Sequence, residues 1–334
     1  VHGEITPMRY GGNYKSYGPQ YPRGIQEGNG IPADGDLWVS YSVNKEDMWI
    51  SRIPVPVELN ASAHADDDFS KSKTIAELTN WNIYSPAWAP VSLDGQWLRL
   101  QDKDPFDYAK VERKIPASKE LKVSFDLQAG QNDKGTLQIE FLDENGIACS
   151  RMELTNDGIF RMKGGSRFAN MMKYEAGKNY HVEAVLSTTD RNIQVYVDGK
   201  RVGLRMFYAP VASVERIAFR TGAPRTFPTV DTPADQTYDL PNAGEQEPLA
   251  EYRIANVKTS STDKDASSAF LNYADFSHYV DYFNGMEDEN IIQAIPNAKA
   301  SEWMEENIPL FECPQRNFEE MYYYRWWSLR KHIK

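Results

Sequence analysis

Cysteine, histidine and long apolar runs are scarce in this sequence. The chain has 334 residues but only two cysteines, Cys149 and Cys313, and five histidines. Two cysteines exclude a disulfide scaffold and a cysteine-rich metal site, and their places in different predicted segments argue against a bond between them. No run of about 18 apolar residues is present, so we expect no membrane-spanning helix and no membrane partner.

Positive charge is also in deficit. The chain carries 37 Lys and Arg against 48 Asp and Glu, which gives a formal charge of −11. A binder of nucleic acid needs a cationic stripe to neutralise phosphates, so this balance argues against a nucleic-acid partner. The 41% hydrophobic fraction excludes a wholly disordered chain. At about 100–200 residues per domain, the length predicts two or three units.

The common catalytic and metal-binding motifs are missing as well. No HExxH, GxSxG or phosphate-binding loop occurs, and His181 is interpreted as a structural residue of a predicted strand. The acidic run 66–68 lacks the glycine and the distal glutamate of an EF-hand loop. We therefore expect no cofactor, although a structural calcium ion on a sandwich rim stays open. The carboxylate runs 287–289 and 319–320 are not facing pairs, so neither is interpreted as a catalytic acid and base.

Strand patterns begin after a region that is predicted to form loops, residues 1–36. Apolar and polar residues alternate over 37–43, and a second run at 48–53 reads as a returning strand. One hairpin cannot fold alone, so this hairpin must pack against other segments. Residues 60–73 are polar and are predicted to form a linker.

Residues 75–260 have the pattern of an all-β domain. Clean alternation marks several strands, and the dipeptides Asn145-Gly146, Asp157-Gly158 and Asp198-Gly199 are hairpin signals. Together they predict an antiparallel sandwich or jelly roll. A strand at 252–258 is expected to close a sheet, and the acidic, proline-rich segment 223–250 is expected to be functional or disordered.

A helical period replaces the strand period near the end of the chain. Phe318, Met321, Tyr322, Trp326 and Leu329 recur at helical spacing, and other aromatic residues cover the remaining faces. A helix that is apolar nearly all round is buried on several sides. The sequence ends without a capping residue, so we expect a piece of a longer protein, with a fraying natural C-terminus as the alternative.

Aromatic residues are the most informative signal for function. They make up 12% of the chain and form clusters at 9–23, 81–88 and 321–332, the first and the third together with Arg and Lys. Flat aromatic faces beside charged groups suit sugar rings, which stack through their C–H faces and hydrogen-bond at their edges. Core packing is the alternative for any single tryptophan among them.

Three segments resemble parts of known carbohydrate-active enzymes. Residues 35–52, with the loop 9–23 before them, resemble the final blade of BNR-repeat, sialidase-like β-propellers. Residues 75–260 resemble concanavalin A-like, laminin-G-like jelly rolls. Residues 295–297, 307–314 and 323–332 resemble the start of a six-hairpin (α/α)6 glycosidase domain of the mannosylglycerate-hydrolase-like type.

The resemblance implies a mainly β protein: an antiparallel, concanavalin A-like β-sandwich flanked by a partial β-propeller blade and a C-terminal helical segment. The implied boundaries are 1–58 for the blade, 59–74 for a linker, 75–262 for the sandwich, and 263–334 for a linker with the first barrel helices. The parent would be a periplasmic or extracellular bacterial enzyme acting on an oligo- or polysaccharide. Its flanking domains, with the catalytic acid and base, would lie outside this chain.

The resemblance also implies two sets of substrate contacts. In such helical barrels the first inner helix lines the sugar pocket, which by analogy gives Tyr323, Arg325, Trp326 and Trp327. If the propeller were instead the catalytic part of a polysaccharide lyase, Tyr17, Tyr21 and Arg23 would be the local candidates. The preferred interpretation is a glycoside hydrolase fragment that is inactive alone and whose complete unit is a carbohydrate-binding or spacer sandwich. The alternatives are a polysaccharide lyase and a purely structural or lectin module.

Overall fold

The computed structural model describes residues 7–12, 15, 17–25, 35–57, 61–222, 237–261, 271, 273–286, 289–291, 293–313 and 315–333. The chain divides into two compact units, residues 1–263 and 264–334. Residues 223–236, the first half of the segment 223–250 that is predicted to be functional or disordered, lie outside the described residues.

A small antiparallel sheet begins the first unit. Its strands β1 (Pro19–Ile25), β2 (Leu37–Val43) and β3 (Asp47–Ile53) follow one another in space as in sequence. Asn44 and Lys45 have φ angles of 55° and 57°, which the tight turn between β2 and β3 requires. The predicted hairpin is therefore confirmed. The prediction of loops throughout 1–36 is wrong at β1, an edge strand, where proline is tolerated because one row of N–H groups needs no partner.

Fifteen further strands form a β-sandwich within the described residues of the first unit. In chain order they are β4 (Asp66–Asp67), β5 (Trp81–Tyr84), β6 (Val91–Asp94), β7 (Trp97–Asp102), β8 (Lys110–Ser118), β9 (Glu120–Ala129), β10 (Leu137–Leu142), β11 (Ala148–Leu154), β12 (Ile159–Gly164), β13 (Arg167–Lys173), β14 (Asn179–Ser187), β15 (Asn192–Val197), β16 (Lys200–Met206), β17 (Val214–Thr221) and β18 (Ala250–Ser261).

Two antiparallel sheets face each other across one core. The seven-stranded sheet has the order β13-β12-β11-β10-β17-β8-β5. The eight-stranded sheet has the order β16-β15-β14-β9-β18-β7-β6, with β4 paired to β18. Phe125 of β9 and Phe219 of β17 meet edge to face with ring centroids 5.0 Å apart, and both are fully buried. The predicted concanavalin A-like sandwich is confirmed.

Two details of the sandwich refine the sequence predictions. The predicted late strand is present as β18, and it completes its sheet from the middle, between β9 and β7. The segment predicted as a linker, 59–74, is partly built into the sandwich, since β4 pairs with β18 and Phe69 is 1% exposed in the core. The acidic run 66–68 has the composition of a solvated linker, yet its Asp67 accepts hydrogen bonds from the buried side chains of Trp81 and Arg113.

The three predicted turn dipeptides do not share one geometry. Asp198 and Gly199 both have positive φ, 48° and 77°, as a type I′ turn requires. At the other two turns only Gly146 and Gly158 have positive φ. Asp143 stabilises the first of these by accepting the N–H groups of Asn145 and Ile147 at 2.9 and 2.8 Å.

The second unit is helical. It contains α1 (Ser277–Asn284), α2 (Ala300–Asn307) and α3 (Arg316–Arg330). Phe283 of α1 and Tyr323 of α3 are buried in one core with Met304 of α2. Among the described residues, no helix is both long and apolar enough to cross a membrane.

Candidate functional site

The outer face of the seven-stranded sheet carries an unusual set of side chains. Leu137, Ile139 and Phe141 of β10 point into the core. Because successive side chains of a strand alternate between faces, Gln138 and Glu140 point outward. Both are nevertheless buried, at 0% and 4% exposure. The outer face is therefore a packed polar layer rather than an open, solvated surface.

Strand register arranges this layer in two rows across the sheet. The first row runs through Tyr84, Lys110, Arg220, Gln138, Glu153, Arg161 and Asn170. The second row runs through Asn82, Glu112, Ala218, Glu140, Arg151, Lys163 and Phe168. We call these fourteen residues the polar face.

Ion pairs hold the carboxylates of the polar face. Arg151 Nε donates to Glu140 Oε1 at 2.7 Å, and Arg161 donates to both carboxylate oxygens of Glu153 at 2.9–3.1 Å. Hydrogen bonds between Arg and a carboxylate are stronger than those between neutral groups. These side chains are therefore held in position before any ligand binds.

The third carboxylate of the polar face has two cationic partners. Arg216, from the same outer side of β17, donates to Glu112 at 3.2 Å, and Lys110 Nζ lies 3.3 Å from its other oxygen. The side chains of Lys110 and Arg216 remain 19% and 27% exposed. These two cations are thus anchored and still reachable from solvent.

Aromatic rings lie at both ends of the polar face. The guanidinium of Arg220 lies 4.1 Å from the ring centroid of Tyr108, and the rings of Tyr108 and Tyr84 are 5.0 Å apart. Trp49 of β3 stacks on Tyr84 at 4.7 Å with the planes 10° apart. The small N-terminal sheet therefore packs against this end of the sandwich.

Tyr208 occupies the opposite end. Its ring lies 4.3 Å from Lys163 Nζ and 5.9 Å from the guanidinium carbon of Arg151. Burial raises the pKa of Tyr208 to about 12. Like any tyrosine at neutral pH, it keeps its hydroxyl proton and can donate a hydrogen bond. A ring with a protonated hydroxyl beside two cations suits a hydroxylated ligand.

Gln138 is the unusual residue at the centre of the polar face. Neither its amide nitrogen nor its amide oxygen has a hydrogen-bond partner among the residues that the structure describes, and the side chain is fully buried. A buried polar group without a partner costs about 1–3 kcal/mol. Such a group calls for a functional explanation.

The N-terminal contacts fix one border of the site. Arg9 Nη2 donates to Asp104 Oδ2 at 2.6 Å and its guanidinium lies over Trp88 at 5.2 Å. Glu46 accepts the backbone N–H groups of Arg9 and Tyr10 at 2.8–3.0 Å. The aromatic loop of 9–23 is thereby tied to the sandwich.

The site residues proposed for the propeller part lie on or near an edge strand. Tyr21 is 65% exposed with a φ of 53°, in the irregular stretch of β1 between Gln20 and Arg23. Arg23 is also exposed, whereas Tyr17 is half-buried and burial raises its pKa. These three residues do not belong to the polar face, and their predicted role stays a prediction.

The site residues proposed for the helix α3 divide between core and surface. Tyr323 is fully buried and Trp327 is 3% exposed, in the core of the second unit. Trp327 Nε1 donates to Asn284 Oδ1 at 2.8 Å. Arg325 is exposed and Trp326 half-buried. Their predicted contact with substrate stays a prediction, and in this chain two of the four serve packing.

The polar face itself was missed in the sequence. Its signal is the alternation of core residues with Arg, Lys and Glu, rather than with Ser or Thr, over 110–114, 138–140, 151–153 and 216–220. The aromatic cluster 81–88 was noticed, but Trp81 is a core residue and donates to Asp67. Within the described ranges no group of three or more His, Cys, Asp or Glu is placed to hold a metal ion.

Comparison with known proteins shows that the chain is similar to carbohydrate-active proteins. Residues 81–236 match a family model described as "Sialidase-like, CBM domain". A solved structure described as "Sialidase" is 91% identical and is matched over 100% of this chain with a TM-score of 0.77. This chain is similar throughout to part of a sialidase. It spans 31% of that protein's length.

Another solved structure that matches is much more distant. An alginate lyase of polysaccharide lyase family 7 is 14% identical, with 55% of this chain and 95% of that chain covered and a TM-score of 0.36. No curated protein matches the sequence. The family match and the sialidase together associate the chain with carbohydrate-active proteins of the sialidase-like type.

Proposed function

We propose that the β-sandwich binds an oligo- or polysaccharide on its polar face, as the carbohydrate-binding unit of a longer glycan-degrading protein. The observation that carries this is the polar face itself, with aromatic rings at both ends and prepositioned Arg, Lys and Glu between them. Sugars bind where rings can stack and fixed polar groups can hydrogen-bond hydroxyls. All seven strands of the face lie within the residues that match the CBM family model.

Affinity electrophoresis of the whole chain tests this function. Gels that contain one polysaccharide each are run with the chain and with two tyrosine variants. Tyr208 lies beside Lys163 of the polar face, whereas Tyr196 of β15 lies on the outside of the other sheet and donates to Gln194 at 3.1 Å. We expect Tyr208→Ala to lose retardation and Tyr196→Ala to keep it. If no polysaccharide slows the migration of the chain, the proposal is overturned and the sandwich is a spacer.

The parent protein is proposed to hydrolyse glycosidic bonds outside the cell or in the periplasm. In that layout residues 1–58 end a propeller and 263–334 begin a helical barrel, with Tyr323, Arg325, Trp326 and Trp327 near its sugar pocket. The 91% identical sialidase supports a glycan-degrading parent. Because no facing carboxylate pair was found in the sequence, we expect this chain alone to be inactive. Release of reducing sugar or of an unsaturated product by the chain alone would contradict this.

A spacer role is the second candidate, and one observation favours it. The stack of Trp49 on Tyr84 and the ion pair of Arg9 with Asp104 hold the N-terminal sheet against the sandwich. Such contacts suit a unit that sets the position of neighbouring catalytic parts. The electrophoresis above distinguishes the two roles, since a spacer without sugar contacts migrates unchanged in every gel.

A further inference from the structure

We infer that the glycan recognised by the polar face is a polyanion, a chain with a repeated carboxylate or sulfate group. This inference rests on the proposed function, because it names the ligand class of the same site. A terminal sugar with a single acid group and a neutral glycan are the competing ligands.

Charge on the outer side of the seven-stranded sheet is opposite in sign to the charge of the chain. Four carboxylates are outnumbered there by cations, although the whole chain has a formal charge of −11. The carboxylates are Glu112, Glu140 and Glu153 on the strands and Asp107, which accepts from Tyr84 at one end, and the cations are Lys110, Lys114, Arg151, Arg161, Lys163, Arg216 and Arg220. The strands that carry them are far apart in sequence, so the cationic face forms only on folding.

Pairing within the face leaves positive potential for a ligand. Each of the three glutamates is already bonded to Arg or Lys, which neutralises it. Lys163 has the ring of Tyr208 beside it and no carboxylate partner among the residues that the structure describes. A cation held in place beside an aromatic ring can meet an acid group while the ring packs on the sugar.

The spacing of the cations favours several acid groups over one. Lys110 on β8 and Lys163 on β12 are separated by four steps between neighbouring strands. At about 4.8 Å a step, the cations spread over about 19 Å. One terminal acid cannot reach both ends of such a face, whereas a chain of acidic sugars presents a charge to each.

Gln138 supplies the neutral contact at the centre. It lies between Arg220 and Glu153 in its row, and within the described part of the chain both polar atoms of its amide lack partners. Its amide can donate to a carboxylate and accept from a hydroxyl at once. Since the side chain is fully buried, ligand binding must shift the atoms that cover it.

Binding of paired polysaccharides to the whole chain tests the inference. The probes are polygalacturonate and alginate, each beside its carboxyl-reduced form, together with sialyllactose and duplex DNA of matched charge. We expect binding of a polyuronate, weakened by salt because the attraction is between charges. Binding that is equal for the reduced, neutral forms would overturn the inference and keep the proposed function. If the chain binds none of these probes and no neutral glycan, both the inference and the proposed function are overturned.

Two further outcomes also count against a polyanionic glycan. Equal affinity for sialyllactose would show that one acid group suffices. Equal affinity for duplex DNA would show a general polyanion surface instead of a sugar site.

Three variants locate the binding. Lys110→Gln and Lys163→Gln remove charge at the two ends of the face, and each is expected to weaken polyuronate binding about fivefold. Lys122→Gln, on the outer side of the other sheet beside Glu183, is the matched control and should change little. Gln138→Leu should fold at least as stably as the parent chain but bind more weakly. Unchanged binding by Lys110→Gln, Lys163→Gln and Gln138→Leu together would overturn the assignment to this face.

Discussion

A single charged residue at the edge of the core, Asp67, is expected to contribute to the stability of the sandwich. Arg113 is buried with 6% of its side chain exposed, and Asp67 is its carboxylate partner at 2.8 Å. Asp67 also accepts from Trp81 Nε1 at 3.0 Å. An acidic residue of a presumed linker thus satisfies two buried donors, one of them charged.

Removal of Asp67 should therefore be costly. Asp67→Ala leaves the Arg113 guanidinium buried without its partner, and we expect the free energy of unfolding to fall by about 2–4 kcal/mol in a urea titration. Asp66→Ala is the control, because its carboxylate is 81% exposed and its pair with Lys258 is solvated. Equal losses in the two variants would contradict the role of the buried pair.

Asp102 gives the molecule a pH dependence of its own. Burial raises its pKa from 3.8 to about 6, although the N–H of Asp104 donates to it at 2.9 Å. The folded state therefore binds the proton more tightly than the unfolded state. The contribution of Asp102 to the free energy of unfolding is fully present below about pH 4 and is lost as the pH rises through 6.

Asp102→Asn should remove that dependence. The amide keeps an acceptor oxygen but carries no charge, so at pH 7 we expect the variant to be more stable by about 1–3 kcal/mol. At pH 4 the variant and the parent chain should agree. Thermal unfolding at several pH values measures the difference, and Asp133→Asn, whose side chain is 73% exposed, is the control. A constant difference at all pH values would refute the assignment.

Strands and turns show what could be predicted from local sequence. The alternation over β9, β10 and β15 was visible because each of these strands buries one face in the core. The edge strand β1 was missed because its residues are mostly exposed and two are proline. Local pattern thus detects a strand when burial imposes a period, and fails when it does not.

The candidate site could not be predicted in the same way. Arg220, Gln138 and Glu153 are neighbours only because β17 and β11 lie on either side of β10. No local pattern encodes that order of strands. The charge balance of the whole chain also hid a cationic face, since surplus acids elsewhere outweigh it.

The stack of Trp49 on Tyr84 is expected to hold the N-terminal sheet in place. Trp49→Ala removes it, and an aromatic pair contributes about 0.5–1.5 kcal/mol beyond its buried area. We expect faster hydrogen exchange of amides in β2 and β3, with no change in β9. Met48→Ala is the control, because Met48 is 77% exposed. Unchanged hydrogen exchange in the Trp49 variant would show that the contacts of Arg9 and Glu46 suffice to hold the N-terminal sheet in place.

At the scale of the whole chain, two separate cores imply two separate stabilities. Phe125 belongs to the core of the sandwich and Phe283 to that of the helical unit, and the two cores share no residue. Both side chains are almost completely buried, at 0% and 1% exposure. A substitution in one core therefore leaves the packing of the other intact.

Truncation of each phenylalanine should destabilise its own unit alone. Phe125→Ala and Phe283→Ala each lose a buried ring and leave a cavity, at a cost of about 3–5 kcal/mol. Hydrogen exchange read in one sample should rise in β10 and not in α3 for the first variant, and in α3 and not in β10 for the second. If either substitution speeds exchange in both elements, the two units unfold together, and the sandwich cannot be treated as a self-sufficient binding unit.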